Sequence, residues 1–354
     1  MLCYYITGHG YGHAIRTAQI LKALPTDIPC ILRTTVPERL FQEEVPGRAF
    51  IYAPAEFDCG CLQTDSVTVL PRATLERYTQ IAIANEARLG AEVAFLRQHD
   101  VRAVVTDIPS FPLRVAREAG IPGYAVANFS WHDIYQEYME TPTDEALLAQ
   151  MREEYSDATM AFLTPLATPT VAAPFPMVEQ VPLVARRGRA NSQALRQWAG
   201  TENRLALIYL GVWGMEMDWD ALGRIAGWTF LVYDLPPRPQ ANVVVLDRRV
   251  WPYADAAASV EAVVSKAGYG TVTECIANGV PLIYVARTAF AEYEALVHGM
   301  DRWGGGIPLS DAKFRAGYLE EALKAALSAP CNPNIFPVNG AQVIAERLAM
   351  GLLQ

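Results

Sequence analysis

The chain has no run of about 18 or more apolar residues, so no segment is expected to cross a membrane as a helix. The N-terminus lacks a basic stretch followed by an apolar core. Met1-Leu2-Cys3-Tyr4-Tyr5-Ile6 is too short and leads straight into glycines, so no signal peptide is expected. Cysteine is sparse. Cys3, Cys30, Cys59, Cys61, Cys275 and Cys331 form no CxxC pair, and five of them lie in apolar or mixed stretches. That pattern fits reduced, mostly buried thiols and a cytoplasmic protein. Cys59 and Cys61 are the only close pair, and with no second pair a zinc site is not expected. Positive charge is in deficit: 29 Lys and Arg against 38 Asp and Glu leave a net charge of −9. This balance argues against a protein that coats nucleic acid or an anionic membrane. It does not exclude a small anion held by a local loop. The P-loop ending GK[ST] is missing, and so is any long internal repeat.

What is present is a two-part alternation. At about 100–200 residues per domain, 354 residues suggest two domains, and 51% hydrophobic residues supply their cores. Strands are expected at Cys3–Thr7, Cys30–Arg33, Phe50–Ala53, Ala103–Thr106 and Gly123–Ala127, with helices at Ala14–Leu24, Thr74–Gln98 and Phe111–Ala119. The long helix carries an apolar stripe at Leu75, Tyr78, Ala82, Leu89, Val93 and Leu96, interrupted by Asn85. Proline-rich Thr164–Pro182 reads as the end of a first domain and a linker, followed by Arg186, Arg187 and Arg189 as a solvated basic surface that can border the interdomain cleft.

A second set of strands is expected at Ala206–Leu210, Phe230–Tyr233, Val243–Leu246, Ala262–Ser265 and Pro281–Val285. Helices are expected at Ser192–Ala199, Thr271–Asn278, Phe290–Gly299, Ala312–Leu327 and Gly340–Met350. The fold class is α/β: two doubly wound, Rossmann-like domains, 1–185 and 186–335, facing a cleft. A C-terminal helix within 336–354 is expected to return to the first domain. In such sheets ligands bind beyond the carboxyl ends of the strands.

Two glycine loops sit at such ends. Gly8-His9-Gly10-Tyr11-Gly12-His13 follows the first strand, and Lys266–Thr271, containing Gly268-Tyr269-Gly270, follows Ala262-Val263-Val264-Ser265. Glycine lets the backbone turn sharply, and the following helix offers free N–H groups to an anion. The first loop is a poor dinucleotide fingerprint: His13 replaces the third glycine, and Arg33 or Thr34 stands where NAD needs an acid, which suits only a 2′-phosphate. Without a ligand it is a tight strand–helix turn. Glu274, one turn past Gly270, is placed either to accept both hydroxyls of a ribose or merely to complement the helix dipole.

The segment Ser265-Lys266-Ala267-Gly268-Tyr269-Gly270-Thr271-Val272-Thr273-Glu274, followed by Gly279-Val280-Pro281-Leu282, resembles the donor-binding segment of GT-B glycosyltransferases. The resemblance implies that the glycines hold a diphosphate, that Glu274 binds ribose, and that the acidic residue after the next strand contacts the donor sugar. Here Glu292-Tyr293 replaces the family's D/E-Q pair. Tyr5 to Arg16, Asp58-Cys59-Gly60, Asn128-Phe129-Ser130-Trp131 and Lys266–Glu274 are also similar to the glycosyltransferase-like half of plant L-arabinokinases. No glycine/serine-rich kinase loop occurs in the chain, so kinase activity is not carried over.

In inverting GT-B enzymes a loop histidine deprotonates the acceptor hydroxyl and an aspartate orients it. The resemblance assigns these roles to His13 and Asp107, with His9 as a rival base. Asp107 has a second reading as a cap for the helix near Ser110. The nucleotide-binding set is Gly10, Gly12, Gly211, Trp251, Lys266, Gly268, Tyr269, Gly270, Thr271, Glu274 and Glu292, with Arg249–Tyr253 clamping the base. Trp131, His132, Asp133 and Tyr135 are expected on the acceptor rim. Asp218-Trp219-Asp220 is a DxD string read as capping, with a metal as its alternative.

The expected reaction is transfer of a sugar from a UDP-sugar to the hydroxyl of a small molecule or glycan. It calls for no cofactor and no metal, and a homodimer is left open. Rival readings are a nucleotide-sugar 2-epimerase or hydrolase, and a non-catalytic nucleotide-sugar-binding module.

Overall fold

The computed structural model describes residues 1–211, 214, 216–234 and 240–353. Two wholly parallel sheets organise the chain, each wrapped by helices on both faces. The first sheet holds β1 (Leu2–Ile6), β2 (Cys30–Arg33), β3 (Ile51–Tyr52), β4 (Ala103–Asp107), β5 (Gly123–Ala127), β6 (Met160–Leu163) and β7 (Val178–Gln180), in the order 3-2-1-4-5-6-7. Its helices are α1 (Gly12–Ala23), α2 (Glu38–Glu44), α3 (Pro71–Gln98), α4 (Phe111–Ala119), α5 (Trp131–Gln136) and α6 (Pro142–Ser156). The second sheet holds β8 (Arg204–Tyr209), β9 (Trp228–Val232), β10 (Val243–Val245), β11 (Ala262–Lys266), β12 (Leu282–Val285) and β13 (Gly306–Leu309), in the order 10-9-8-11-12-13. Around it lie α7 (Ser192–Ala199), α8 (Trp219–Leu222), α9 (Tyr253–Ala257), α10 (Tyr269–Asn278), α11 (Glu292–Trp303), α12 (Asp311–Arg315) and α13 (Glu320–Ala326). The last helix, α14 (Gly340–Leu353), returns to the first sheet and buries Ile344, Ala345 and Leu348 in the cluster that contains Leu2, Ala14 and Ala18.

Strand order reverses between β1 and β4 and again between β8 and β11, so each sheet opens a crevice there. Register places Ile6 opposite Asp107 and Ser265 opposite Tyr209. The residues just past those pairs therefore face the two crevices. The inner strands β1, β4, β5, β9 and β12 are buried on both faces, as parallel strands covered by helices must be.

Several expectations need correction. The supposed linker Thr164–Pro182 contains β7, an edge strand of the first sheet. The loop Lys266–Thr271 is shorter than expected: Gly268 is the N-cap of α10, and Tyr269, Gly270 and Thr271 are already helical. The single helix Ala312–Leu327 is two helices, broken at Gly317, which adopts φ +70°. Helices α5 and α6 went unread although each opens on a capping box, Ser130 with Asp133 and Thr141 with Asp144. Asn85, the break in the α3 stripe, is buried and donates from Nδ2 to the Phe57 carbonyl at 2.9 Å. Asp218 accepts from the backbone N–H groups of Asp220 and Ala221, so the DxD string begins with a helix cap. Val212 and Trp213, between Gly211 and Gly214, lie outside the described residues.

Candidate active site at the facing crevices

The first crevice is built from the β1–α1 turn and the end of β4. Gly10 adopts φ +67°, which lets the chain turn from β1 into α1. His13, in the first turn of α1, is 9% exposed, and its Nδ1 lies 2.8 Å from Asp107 Oδ1. An ionised carboxylate only accepts, so this bond puts the imidazole proton on Nδ1 and leaves the Nε2 lone pair free. Asp107 does not cap α4. Its remaining capacity goes to a residue the sequence reading did not single out. Arg16, one turn beyond His13, donates from Nε to Oδ2 at 2.8 Å and from Nη2 to Oδ1 at 2.5 Å. Burial alone would raise the Asp107 carboxyl, but the field and bonds of Arg16, with the His13 bond, hold it below the usual carboxylate range. Spacing of three residues on one helix put Arg16 beside His13; only the fold shows that both converge on Asp107.

Arg16 also joins the two halves. Its Nη1 donates to Asn128 Oδ1 at 2.7 Å, and Asn128 Nδ2 donates to Glu292 Oε1 at 2.6 Å. The Arg16 guanidinium lies 5.1 Å from the centroid of the Tyr269 ring. Glu292, expected at the donor sugar, is thus tied to the first domain at the mouth of the crevice.

The second crevice places Lys266 at the end of β11 and the N-terminus of α10 beside it. Gly12 and Gly270 bring the two helix starts together: a Cβ added to Gly270 would stand 3.5 Å from Gly12 Cα. Lys266 lies near Gly211 and Gly268, where an added Cβ would meet its Cε at 3.8 Å. Burial first, and then the field of Arg287, push the Lys266 ammonium down to about 7. Thr271 lies in the first turn of α10, next to this group.

Glu274 is buried at 3% exposure. One oxygen accepts from Arg186 Nε at 2.9 Å, while Oε2 is buried with no partner among the described residues. Burial raises its carboxyl and Arg186 opposes the rise. Arg186 also bonds Glu44 of the first domain. This corrects the solvated reading of Arg186, although Arg187 and Arg189 are exposed as expected. Trp251 sits farther along: its carbonyl accepts from Tyr233 at 2.8 Å, and its indole N–H is buried with no acceptor among the described residues.

His9 stands apart from His13 and Asp107. Its Nδ1 accepts from the Cys61 N–H at 3.2 Å, and its ring packs edge-on to Trp131. Burial, then the fields of Arg287 and Lys266, hold its pKa well below the usual histidine range. The acceptor-rim reading of Trp131, Asp133 and Tyr135 fails, because all three are core residues. Trp131 Nε1 donates to Asp58 Oδ2 at 2.7 Å, Asp133 closes the α5 capping box, and Tyr135 donates to the Gly60 carbonyl at 2.6 Å. Of the four, His132 alone is partly open.

Residues 246–335 match the glycosyltransferase family 28 C-terminal domain. An L-arabinokinase of Arabidopsis thaliana is 29% identical over 98% of the chain, and the chain spans about a third of that protein's length (34%). Among solved structures, UGT2 of Phytolacca americana, complexed with UDP-2fluoro-glucose and pterostilbene, superposes with a TM-score of 0.64 at 16% identity, covering 100% of both chains. A UDP-glucosyltransferase from Polygonum tinctorium gives 0.65 at 13% identity, covering 100% of this chain and 98% of that one. No helix among the described residues is long and apolar enough to cross a membrane. The chain therefore has the GT-B fold, residues 246–335 match the glycosyltransferase family 28 C-terminal domain, and a plant L-arabinokinase is similar to it along nearly its whole length.

Proposed function

We propose that the chain is an inverting glycosyltransferase that moves a sugar from a UDP-sugar to an acceptor hydroxyl. The observation that carries this reading is the buried His13–Asp107 pair, set where the N-terminal turns of α1 and α10 meet. His13 Nε2 takes the proton of the acceptor hydroxyl as its oxygen attacks the anomeric carbon. The bond from that carbon to the diphosphate oxygen breaks, and the electron pair leaves with UDP. Attack and departure on opposite faces invert the anomeric centre. Asp107 fixes the tautomer and faces the imidazolium that forms. The charge gathering on the diphosphate is met by Lys266 and the free N–H groups of α10, so this route needs no metal. The ribose goes to Glu274, whose unpartnered Oε2 supplies an acceptor, and the base to the stretch around Trp251.

The UDP of the Phytolacca complex supports the choice of nucleotide. His13→Ala is expected to lower turnover by about 100-fold or more while leaving UDP affinity within about twofold. Glu274→Ala is expected to weaken UDP binding itself. Full activity of His13→Ala, or its loss of UDP binding, removes the base assignment. One observation favours a second reading, a binding module that consumes nothing: Arg16 already neutralises Asp107, leaving less negative charge for an imidazolium. Product analysis with UDP-sugars, with and without acceptors, separates the two.

A further inference from the structure

Arg287 lies two residues past β12 and is only 6% exposed, yet it finds almost nothing to bond. Among the described residues its one hydrogen-bonding contact is Nη2 with His9 Nε2 at 3.2 Å, and its Nε is buried with no acceptor. It forms no ion pair among those residues. Its guanidinium sits 3.5 Å from the centroid of the Phe290 ring, a face that attracts a cation but accepts no directed bond.

The histidine contact is a poor substitute for an acceptor. His9 Nδ1 already accepts the Cys61 N–H. A neutral imidazole has one acceptor nitrogen, so the proton of His9 is on Nε2 and points at the Arg287 donor. Lys266, on the neighbouring strand, is also mostly buried and without an ion pair among the described residues. Glu292 is the carboxylate whose field both cations feel. It forms no ion pair with either among the described residues, and its Oε1 accepts from Asn128. Two largely buried cations thus converge where no carboxylate among the described residues forms an ion pair with either, an arrangement that a bound anion would complete.

The two cations occupy different stations. Lys266 ends β11, beside the α10 N-terminus that would hold a diphosphate. Arg287 follows β12, one strand farther from the switch point, on the connection that ends at Glu292. Neighbouring strands are about 4.8 Å apart, so Arg287 stands one strand's width from the α10 N-terminus, and a sugar joined to a diphosphate held there would come within reach of its side chain. The planar fork of a guanidinium matches a carboxylate with two parallel bonds.

We propose that Arg287 binds a carboxylate on the donor sugar, making a nucleotide-linked uronate the preferred donor. This rests on the nucleotide-sugar reading of the same crevice.

The test is calorimetric titration of the full chain with UDP, UDP-glucose and UDP-glucuronate, repeated with Arg287→Gln and Arg287→Lys. The wild-type chain is expected to bind UDP-glucuronate about tenfold or more tighter than UDP-glucose. Arg287→Gln is expected to erase that preference with UDP affinity within about twofold, and Arg287→Lys to keep part of it. Equal wild-type affinity for the two sugars, or a preference for glucose, overturns the proposal and leaves the nucleotide reading standing. So does an Arg287→Gln chain that loses UDP by the same factor as UDP-glucuronate, since Arg287 would then hold the diphosphate. If the wild-type chain binds no UDP at all, the nucleotide reading and the proposal fall together. A misfolded Arg287→Gln leaves the wild-type comparison decisive.

Discussion

Charges in the cleft are matched unevenly, residue by residue. Asp107 and Glu274 are each engaged by an arginine, whereas Lys266 and Arg287 are not engaged by any carboxylate among the described residues. Lys266 makes this measurable. The unfolded chain holds its proton up to about pH 10.5, the folded chain only to about 7. Between those values the unfolded state binds more protons, so this group makes stability rise with pH across that window. A bound diphosphate favours the ammonium. At pH 8, UDP binding is therefore expected to take up roughly one proton. Calorimetry in two buffers of different ionisation enthalpy reads this directly, and Lys266→Met should lack it. Heats that do not depend on the buffer would show that Lys266 does not meet the phosphate. The glycines and His13 were legible because loop and resemblance marked them. Arg16, Arg186 and Arg287 were not, since an arginine in a sequence carries no sign of its distant partner.

At the scale of elements, one loop, Asp58–Gly60, holds the β1–α1 turn in place. Gly60 adopts φ +59°, and a Cβ there would lie 2.4 Å from both the Cβ and the Nδ1 of His9. The Asp58–Gly60 stretch is anchored by Asp58, which accepts from Thr7 at 2.8 Å and from Trp131 at 2.7 Å. Gly60→Ala is expected to destabilise the fold by about 2–4 kcal/mol, from the steric clash together with the left-handed backbone. Gly10→Ala, at φ +67° with nothing within 4 Å of the added Cβ, should cost only about 1–2 kcal/mol. Denaturant melts of the two variants check the contrast, and equal losses would mean that His9 moves aside freely. Most strands were legible as apolar runs, the edge strands β3 and β10 among them, but β6, inside the first sheet, and β13 were not. Nor was the edge strand β7, because three residues between prolines carry no periodicity.

For the whole molecule, the central question is access. The cavity where α1 and α10 meet has a volume of about 10 Å³, room for one water and far too little for a nucleotide. The segment 61–69 also straps the halves together. Asp65 pairs with Arg315 at 3.0 Å, the Thr288 N–H donates to the Val67 carbonyl at 3.4 Å, and Ser66 bonds the Leu210 carbonyl. Burial works against the Asp65 charge, but bonds from the Val67 N–H and Arg315 prevail and hold its carboxyl down to about 2. On the proposed function the halves would have to part for a donor to enter, so Asp65→Asn is expected to speed UDP association by about two- to fivefold, the factor that a partly exposed ion pair supplies. Stopped-flow binding measures it, and an unchanged rate would place the gate elsewhere.

Sequence alone determined the two alternating α/β halves, the two glycine turns and the helix starts behind them. These follow from local causes: the side-chain period, the freedom of glycine and the run of apolar strands. The C-terminal helix could be read in the same way. Only the tertiary structure decided that Asp107 is shared between His13 and Arg16, and that Arg186 joins Glu44 to Glu274 across the two domains. It alone decided that Arg287 is buried with no ion pair among the described residues. Those facts depend on which groups a folded chain brings within hydrogen-bonding distance although they lie far apart in sequence, Arg186 and Glu274 by 88 residues and Arg186 and Glu44 by 142, and on how much water it removes around them. Neither quantity is encoded in the spacing of neighbours.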